Sequence, residues 1–215
     1  MSLCSALADY LRVAIYESHA KLHWPPRLAH CLQAIEQVYP SVALHGPVRI
    51  IDIGSGPGML FPSVCGMNLS YLALEIDHQS VLLAQKRYAH FANFEIRESA
   101  SIDPSVVFTR TDIVILNGVF HHLANGEAAE LLGKMKEAGA VIILDHLKRE
   151  NPDRFSMVEQ TQRMIQFLDR GKYVRPLSYY KELGIQPLKM IACFTISVMK
   201  FPLWPYFVAI YTDQE

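Results

Sequence analysis

Two residue pairs, His121-His122 and Asp145-His146, are the part of this sequence best suited to proton transfer. Each pair follows a short apolar run, at the point where a buried strand would end. Imidazole exchanges a proton near neutral pH, and a neighbouring carboxylate can orient it. His121, Asp145 and His146 are therefore candidate catalytic residues. The alternative for Asp145-His146 is that the pair caps the next helix.

A glycine-rich loop, Asp52-Ile53-Gly54-Ser55-Gly56-Pro57-Gly58, stands where the apolar run Val48–Ile53 would turn into a helix. Glycine permits backbone conformations that side chains forbid and lets a ligand approach the main chain. The spacing is G-x-G-x-G, whereas the dinucleotide fingerprint that cradles a pyrophosphate is G-x-G-x-x-G. Asp52 would repel a pyrophosphate and suits a ligand with an ammonium group. The loop therefore favours an amino-acid-bearing nucleotide such as S-adenosylmethionine over NAD.

The run Val48–Leu60 resembles motif I of the class I S-adenosylmethionine-dependent methyltransferases of small-molecule type, and segments up to Leu144 resemble the later motifs in order. Under this resemblance Glu75 binds the ribose, Ile76 packs on the adenine, and Glu98-Ser99 meets the adenine amino group. Asn117-Gly118 lines the methionine part. The resemblance implies S-adenosylmethionine as cofactor, S-adenosylhomocysteine as product, and these cofactor-binding residues: Asp52, Gly54, Ser55, Gly56, Gly58, Glu75, Ile76, Glu98, Ser99, Asn117 and Gly118.

Members of this family carry a similar histidine pair in which one histidine helps to fix the next helix. By its place in the motif, His122 is the expected structural member. Contact of His122 with the substrate is the alternative.

Strand-like and helix-like runs alternate from residue 48 onward, which predicts a doubly wound, mostly parallel α/β sheet. Two β-rich runs near the C-terminus predict an antiparallel hairpin that closes the sheet edge. The family resemblance sets the count at seven strands, six parallel and one antiparallel. The runs are Val48–Ile53, Tyr71–Ile76, Phe94–Glu98, Asp112–Asn117, Ala140–Leu144, Ile191–Lys200 and Tyr206–Thr212.

The length of 215 residues fits a single methyltransferase domain. We expect residues 1–46 to form a helical lid, with helices over 3–24 and Arg27–Val38, the second ending before Pro40. Residues 47–215 would form the cofactor-binding core. A helix begins near Gly58 in this prediction, and a helical insertion lies at about 150–185.

Arg175 is a candidate ligand for an anionic substrate group such as a carboxylate or phosphate, with Tyr173 beside it. The alternative for the segment Asp169–Arg175 is a helix end, where cations complement the dipole and a glycine follows, although Arg175 lies beyond that glycine and is least explained by it. Tyr16 in the N-terminal segment is a candidate for stacking on a planar substrate.

The 20 basic and 21 acidic side chains give a net charge of -1, so no basic field favours nucleic acid as a partner. The sequence has no apolar run of membrane-spanning length and no secretion signal. Its four cysteines lack metal-ligand spacing. We expect a cytoplasmic protein, a monomer or homodimer, with no metal, nucleic acid or membrane among its partners.

The predicted function is methyl transfer from S-adenosylmethionine to a small molecule at oxygen or nitrogen. One alternative is an RNA or protein methyltransferase, although the segment Asn117–Phe120 lacks the Asn/Asp-Pro-Pro-Phe/Tyr pattern of base and glutamine methylation. The other is a non-catalytic cofactor-binding subunit that supports a partner.

Overall fold

The computed structural model describes residues 26–100, 103–148, 172–182, 185, 188–197 and 205–213. Every residue of the two central strands β4 and β5 is buried. Such strands are near-continuous apolar runs because both faces of the sheet are covered. The strands within these ranges are β1 (Val48–Ile53), β2 (Leu69–Glu75), β3 (Phe94–Glu98), β4 (Asp112–Asn117), β5 (Ala140–His146), β6 (Lys189–Ser197) and β7 (Pro205–Thr212).

These seven strands form one sheet in the order β3-β2-β1-β4-β5-β7-β6. The pairs β3–β2, β2–β1, β1–β4 and β4–β5 are parallel. β7 runs antiparallel to both of its neighbours, β5 and β6. Six strands therefore point one way and β7 the other, which confirms the predicted sheet and its C-terminal hairpin.

Helices cover both faces of the sheet. Side chains of α1 and α2 pack in one apolar cluster, and side chains of α4 and α5 pack in the cluster on the opposite face. α3 begins after Asp77, whose carboxylate accepts the backbone N–H of Ser80 at 3.0 Å. The described helices are α1 (26–43), α2 (Phe61–Val64), α3 (His78–Tyr88), α4 (Asn125–Met135) and α5 (Leu177–Glu182).

Two predicted helix boundaries are wrong. α1 continues through Pro40 to residue 43. The proline removes one hydrogen bond, whereas Val38 and Val42 on either side of it are both buried and hold the helix on the sheet. After the glycine loop the helix begins at Phe61, because Gly58 has a φ of +74°, which a right-handed helix excludes.

The predicted helix over 3–24 and residues 150–171 of the predicted insertion lie outside the described residues, whereas the later part of the insertion contains α5. Among the residues that are described, no helix combines the length and the apolar character needed to cross a bilayer.

The sheet has its topological switch between β1 and β4, since the chain continues from β1 to β2 on one side and later returns to β4 on the other. Doubly wound sheets bind ligands in the crevice outside the carboxyl ends of the strands at this point. The glycine loop, Glu75 and Asn117-Gly118 follow or end β1, β2 and β4. All three therefore lie along this edge.

Candidate active site

The loop after β1 adopts a conformation that glycine tolerates and other residues do not. Gly54, Gly56 and Gly58 have φ values of +68°, +54° and +74°. A Cβ atom on Gly54 would lie 2.5 Å from Cγ2 of Val119. The loop after β1 therefore packs directly against the segment after β4, and only bare main chain fits between them.

Glu75 ends β2 with its carboxylate turned towards this loop. Its Oε2 accepts the N–H of Gly56 and its Oε1 the N–H of Asp77, both at 2.7 Å. Burial raises the pKa of Glu75, while these backbone donors oppose the rise. Each carboxylate oxygen keeps acceptor capacity, as the predicted ribose ligand requires. The next residue, Ile76, is 71% exposed, which gives the crevice an apolar face suited to a planar ring.

Glu98 ends β3 and Ser99 follows it, at the same edge of the sheet. The N–H of Ser99 donates to the carbonyl of Glu75 at 2.8 Å. The exposed carboxylate of Glu98 lies 2.6 Å from Nδ1 of His78. An adenine amino group would share this carboxylate with His78, and the adenine contact of Glu98-Ser99 stays a prediction.

Asp52 lies beneath the glycine loop, on the face of the sheet that packs against α1. Its Oδ2 accepts the hydroxyl of Tyr71 at 2.5 Å, and both residues are buried. Desolvation raises the pKa of Asp52 to about 7, and the bond from Tyr71 opposes that rise. A buried carboxylate of this kind gains from a neighbouring cation, in line with the predicted ammonium contact. Ser55, also buried, places its Oγ 3.4 Å from the carbonyl of Gly56.

β4 and β5 lead to a buried histidine–aspartate pair. His121 Nδ1 lies 2.5 Å from Asp145 Oδ1, and the backbone N–H of His121 donates to Oδ2 at 3.0 Å. With Nδ1–H donated to the carboxylate, the neutral ring carries its lone pair on Nε2, the state that a general base needs. A Cβ atom on Gly118 would lie 3.8 Å from Cε1 of His121. The ring therefore borders the Asn117-Gly118 segment.

The two adjacent histidines differ in burial. His121 is 2% exposed against Asp145, whereas His122 is exposed. Both belong to the short 3₁₀ helix Phe120–His122, in which successive side chains point a third of a turn apart. The structural role of His122 and its contact with substrate both stay predictions.

His146 extends the pair towards β7. Its ring centre is 4.6 Å from that of His121 at an angle of 83°, and its Nε2 is 3.5 Å from the hydroxyl of Tyr206. Within the described ranges, His121, Asp145 and His146 form the one group whose ligand atoms lie close enough together, within 4.8 Å, to hold a metal ion.

The two closest atoms of this group are separated as in a hydrogen bond, which is closer than two ligands of one metal ion. Two nitrogen or oxygen ligands about 2.1 Å from one tetrahedral ion lie about 3.4 Å apart. The 2.5 Å between His121 and Asp145 is instead the separation of atoms that share a proton. We therefore treat the group as acid–base residues, and the expectation of no metal stays a prediction.

Arg175 holds the segment that carries His121. Its guanidinium donates to the carbonyls of Phe120 at 2.8 Å and Leu123 at 2.7 Å. It also donates to Oδ1 of Asn125, at 2.9 Å from Nη2 and 3.2 Å from Nε. All three guanidinium nitrogens therefore bind the segment from Phe120 to Asn125, the first residue of α4. These contacts favour a positioning role, and anion binding by Arg175 stays a prediction.

The two predicted tyrosine contacts fall in different parts of the chain. The backbone N–H of Tyr173 donates to the carbonyl of His121 at 2.9 Å, and Tyr173 is 40% exposed. Tyr173 thus borders the active-site segment. Tyr16 lies outside the described residues.

Sequence reasoning missed three residues at this edge: Arg27, Tyr71 and Tyr206. Arg27 of α1 donates from Nη2 to Oδ1 of Asn117, and its guanidinium carbon lies 4.2 Å from the centre of the Tyr206 ring. A tyrosine in a strand that is covered on both faces needs a partner for its hydroxyl, and that signal could have found Tyr71 and Tyr206. A single arginine on a helix carries no comparable signal.

No protein-family model matches the sequence, and no curated protein matches it in sequence. Solved structures do match the fold. The alignment with human N-acetylserotonin methyltransferase in complex with SAM covers 96% of this chain and 57% of that one, at 16% identity and a TM-score of 0.66. This chain thus spans little more than half the length of that protein. The alignment with the plantazolicin methyltransferase in complex with a desmethyl analogue and SAH covers 94% and 90%, at 13% identity and a TM-score of 0.67.

The fold is that of a class I methyltransferase. A third solved structure agrees: geranyl diphosphate C-methyltransferase from Streptomyces coelicolor A3(2), in complex with Mg2+, geranyl diphosphate and S-adenosyl-L-homocysteine. It is 8% identical with a TM-score of 0.65, over 86% of this chain and 81% of that one. The methyltransferase fold expected from the motif resemblance is thereby confirmed. Within it, the glycine loop and Glu75 lie on one side of the β1–β4 switch, and His121 and Asp145 lie on the other.

Proposed function

We propose that this protein transfers a methyl group from S-adenosylmethionine to an oxygen or nitrogen atom of a small-molecule acceptor. The observation that carries the proposal is that two groups of residues, one suited to the cofactor and one suited to proton transfer, lie at the same edge of the sheet. The left-handed glycine loop with the Glu75 carboxylate bound to it forms the first. The buried His121–Asp145 pair beside Gly118 forms the second. The solved structures named above are of small-molecule methyltransferases bound to SAM or SAH, which supports the proposal.

The described residues fit this cofactor at several points. Glu75 would accept hydrogen bonds from the ribose hydroxyl groups, and the exposed apolar side chain of Ile76 would pack on the adenine. The buried carboxyl group of Asp52 would bind the ammonium group. The bare main chain at Gly54 lets a ligand come close. When bound, S-adenosylmethionine supplies an electrophilic methyl group on a sulfonium.

His121 is the proposed general base for the acceptor. Its Nε2 would take the proton from an acceptor hydroxyl or amine, and Asp145 would stabilise the imidazolium that forms. A positioned base of this kind contributes about 10²–10⁴-fold to a rate. Arg175 keeps His121 in place through the carbonyls of Phe120 and Leu123.

The wider setting of the proposal is a single domain, with residues 1–46 as lid and 47–215 as core. We propose an acceptor with an anionic group, since one structural neighbour is named for geranyl diphosphate, which is anionic.

The free thiols of Cys31 and Cys65 suit a reducing compartment, and we propose a cytoplasmic location. A monomer or homodimer that binds neither nucleic acid nor membranes completes the proposal. The solved structures named above lend no support to the RNA, protein or non-catalytic alternatives.

Calorimetry with S-adenosylhomocysteine tests the cofactor assignment directly. We expect the wild-type protein to bind one equivalent, and Glu75→Ala to weaken binding at least tenfold. Glu130→Ala is the matched control, because Glu130 is an exposed carboxylate on α4. A methyl-transfer screen against hydroxylated, amino and carboxylated metabolites, with S-adenosylhomocysteine as readout, then identifies the acceptor. A folded wild-type protein that binds neither S-adenosylmethionine nor S-adenosylhomocysteine would contradict the proposal.

A further inference from the structure

Arg175 is a buried cation whose hydrogen-bond acceptors are neutral. The residue is 6% exposed, and its guanidinium donates to the carbonyls of Phe120 and Leu123 and to the amide oxygen of Asn125. Its guanidinium carbon also lies 4.8 Å from the ring centre of Tyr179. A charge taken out of water is costly unless an opposite charge lies nearby. None of these neutral groups supplies one.

The carboxylate of Asp145 lies in the same part of the interior. The main chain of Arg175 pairs with Leu147, two residues beyond Asp145, and the N–H of Lys148 donates to the carbonyl of Arg175 at 2.9 Å. The buried hydroxyl of Tyr180 responds to both charges. Burial raises its pKa, Asp145 raises that pKa further, and Arg175 lowers it. An acid and a cation therefore act on one buried hydroxyl.

This grouping bears on the charge of His121. The side chains of His121 and Asp145 are 2% and 0% exposed. Beside a neutral imidazole alone, the carboxylate would be an uncompensated negative charge in the interior, and it would favour a proton on the ring. With Arg175 nearby, the guanidinium and the carboxylate compensate each other while the ring is neutral. A proton on the ring would then leave a net positive charge.

Ionisable groups from the other elements around His121 do not supply a second acid. His146 and His122 contact its ring, Arg27 of α1 lies across Gly118 from it, and Tyr206 of β7 lies beyond His146. In this described part of the interior the groups are thus bases, phenols and cations, with Asp145 as the acid. Arg175 is the cation that also binds the segment carrying His121.

We propose that Arg175 is the counter-ion of the His121–Asp145 pair and keeps the His121 ring unprotonated near neutral pH, ready to accept a proton. The inference rests on the proposed function, in which His121 is the general base, and deepens it. Arg175 is thus a positioning residue that acts through His121 by its charge as well as by its hydrogen bonds. Without that charge the ring would hold its proton to a higher pH.

An NMR titration of the His121 ring in the full chain tests this without cofactor or acceptor. Loss of its signals in His121→Gln assigns them. We expect Arg175→Gln, which removes the charge, to raise the midpoint of the titration by about one pH unit. Arg175→Lys keeps the charge but not the planar fork, and its midpoint should stay close to the wild-type value. Arg110→Gln is the matched control, since Arg110 is an exposed arginine just before β4.

Asn125→Asp changes the charge balance and keeps the arginine. Asn125 is exposed, and its Oδ1 accepts hydrogen bonds from both Nε and Nη2 of Arg175. Aspartate has the same shape, keeps both bonds and suits the first turn of α4. Its negative charge would compensate the guanidinium, so the His121 midpoint should rise in this variant too. Asn68→Asp is the matched control, because Asn68 is an exposed asparagine just before β2, at the opposite edge of the sheet.

A midpoint that rises in Arg175→Gln and Asn125→Asp, but not in Arg175→Lys or the controls, supports the inference. An unchanged midpoint in either of the first two variants overturns it, and Asn125→Asp decides the question if Arg175→Gln does not fold. Equal shifts in Arg175→Gln and Arg175→Lys would assign the effect to the hydrogen bonds and also overturn it. Calorimetry with S-adenosylhomocysteine judges the proposed function separately, whatever the titration shows.

Discussion

At the scale of single residues, the chemistry depends on one imidazole nitrogen. Asp145 accepts both the ring Nδ1–H and the backbone N–H of His121, so it fixes the orientation and the tautomer together. Neither side chain is more than 2% exposed, and solvent screens their interaction little. The pair behaves as one unit.

We expect His121→Ala to lower kcat by about 10²-fold or more, the range of general-base contributions, while the affinity for S-adenosylhomocysteine stays within about twofold. Asp145→Asn should also lower kcat, and the double variant should be no slower than the slower single variant, because the two residues act together. Steady-state kinetics and calorimetry measure both effects. His45→Ala, an exposed histidine before β1, is the control. Full activity of His121→Ala would contradict the role.

Sequence located these two residues because parallel strands bring their carboxyl ends to one edge. Which of His121 and His122 faces Asp145 depends on how the three-residue helix Phe120–His122 is rotated, and a segment this short has no sequence periodicity that predicts its rotation. Arg27 was missed for a related reason. Its partners Asn117 and Tyr206 are 90 and 179 residues away along the chain, so only the assembled sheet shows the contact.

At the scale of elements, the site depends on the approach of two loops. The segment after β1 and the segment after β4 meet at Gly54 and Val119 without room for a side chain. The strands around them were predictable because each contains a run of consecutive apolar residues. The turn itself was predictable because glycine recurs at three alternate positions. The continuation of α1 through Pro40 was not, since burial of Val38 and Val42 outweighs a local rule.

We expect Gly54→Ala to lower the free energy of unfolding by about 2 kcal/mol or more. A side chain in the left-handed conformation costs about 1–2 kcal/mol, and the new Cβ atom would also collide with Val119. The same substitution should abolish binding of S-adenosylhomocysteine. Gly133→Ala in α4 is the matched control, since its Cβ would meet no atom within 4 Å. That variant should gain about 0.5–1 kcal/mol. Urea unfolding measures both, and equal stability of the two variants would contradict the packing described here.

At the scale of the whole molecule, Asp52 links stability to pH. Its pKa is raised from 3.8 to about 7, chiefly by burial. Between these two values the native state holds more protons than the unfolded state. The free energy of unfolding therefore falls as pH rises from about 4 to about 7, and this contribution is constant above that range.

We expect Asp52→Asn to remove this dependence. Without ligand it should be at least as stable as wild type at pH 8, because the neutral amide can still accept the Tyr71 hydroxyl. At pH 5 the two should be similar. Binding of S-adenosylhomocysteine should nevertheless be weakened at least tenfold at pH 8. Urea titrations and calorimetry at both pH values check this, and parallel stability curves for the two proteins would contradict it.

The place of β7 has a consequence for synthesis of the chain. β7 follows every other described strand in sequence, yet it lies between β5 and β6. While the polypeptide leaves the ribosome from its N-terminus, β6 has no neighbour to pair with until residues 205–212 have emerged. Tyr206, which contacts both His146 and Arg27, arrives with them. The half of the molecule around the glycine loop can form early, but the edge that carries the proposed acceptor chemistry is completed last, so an unfinished chain lacks it.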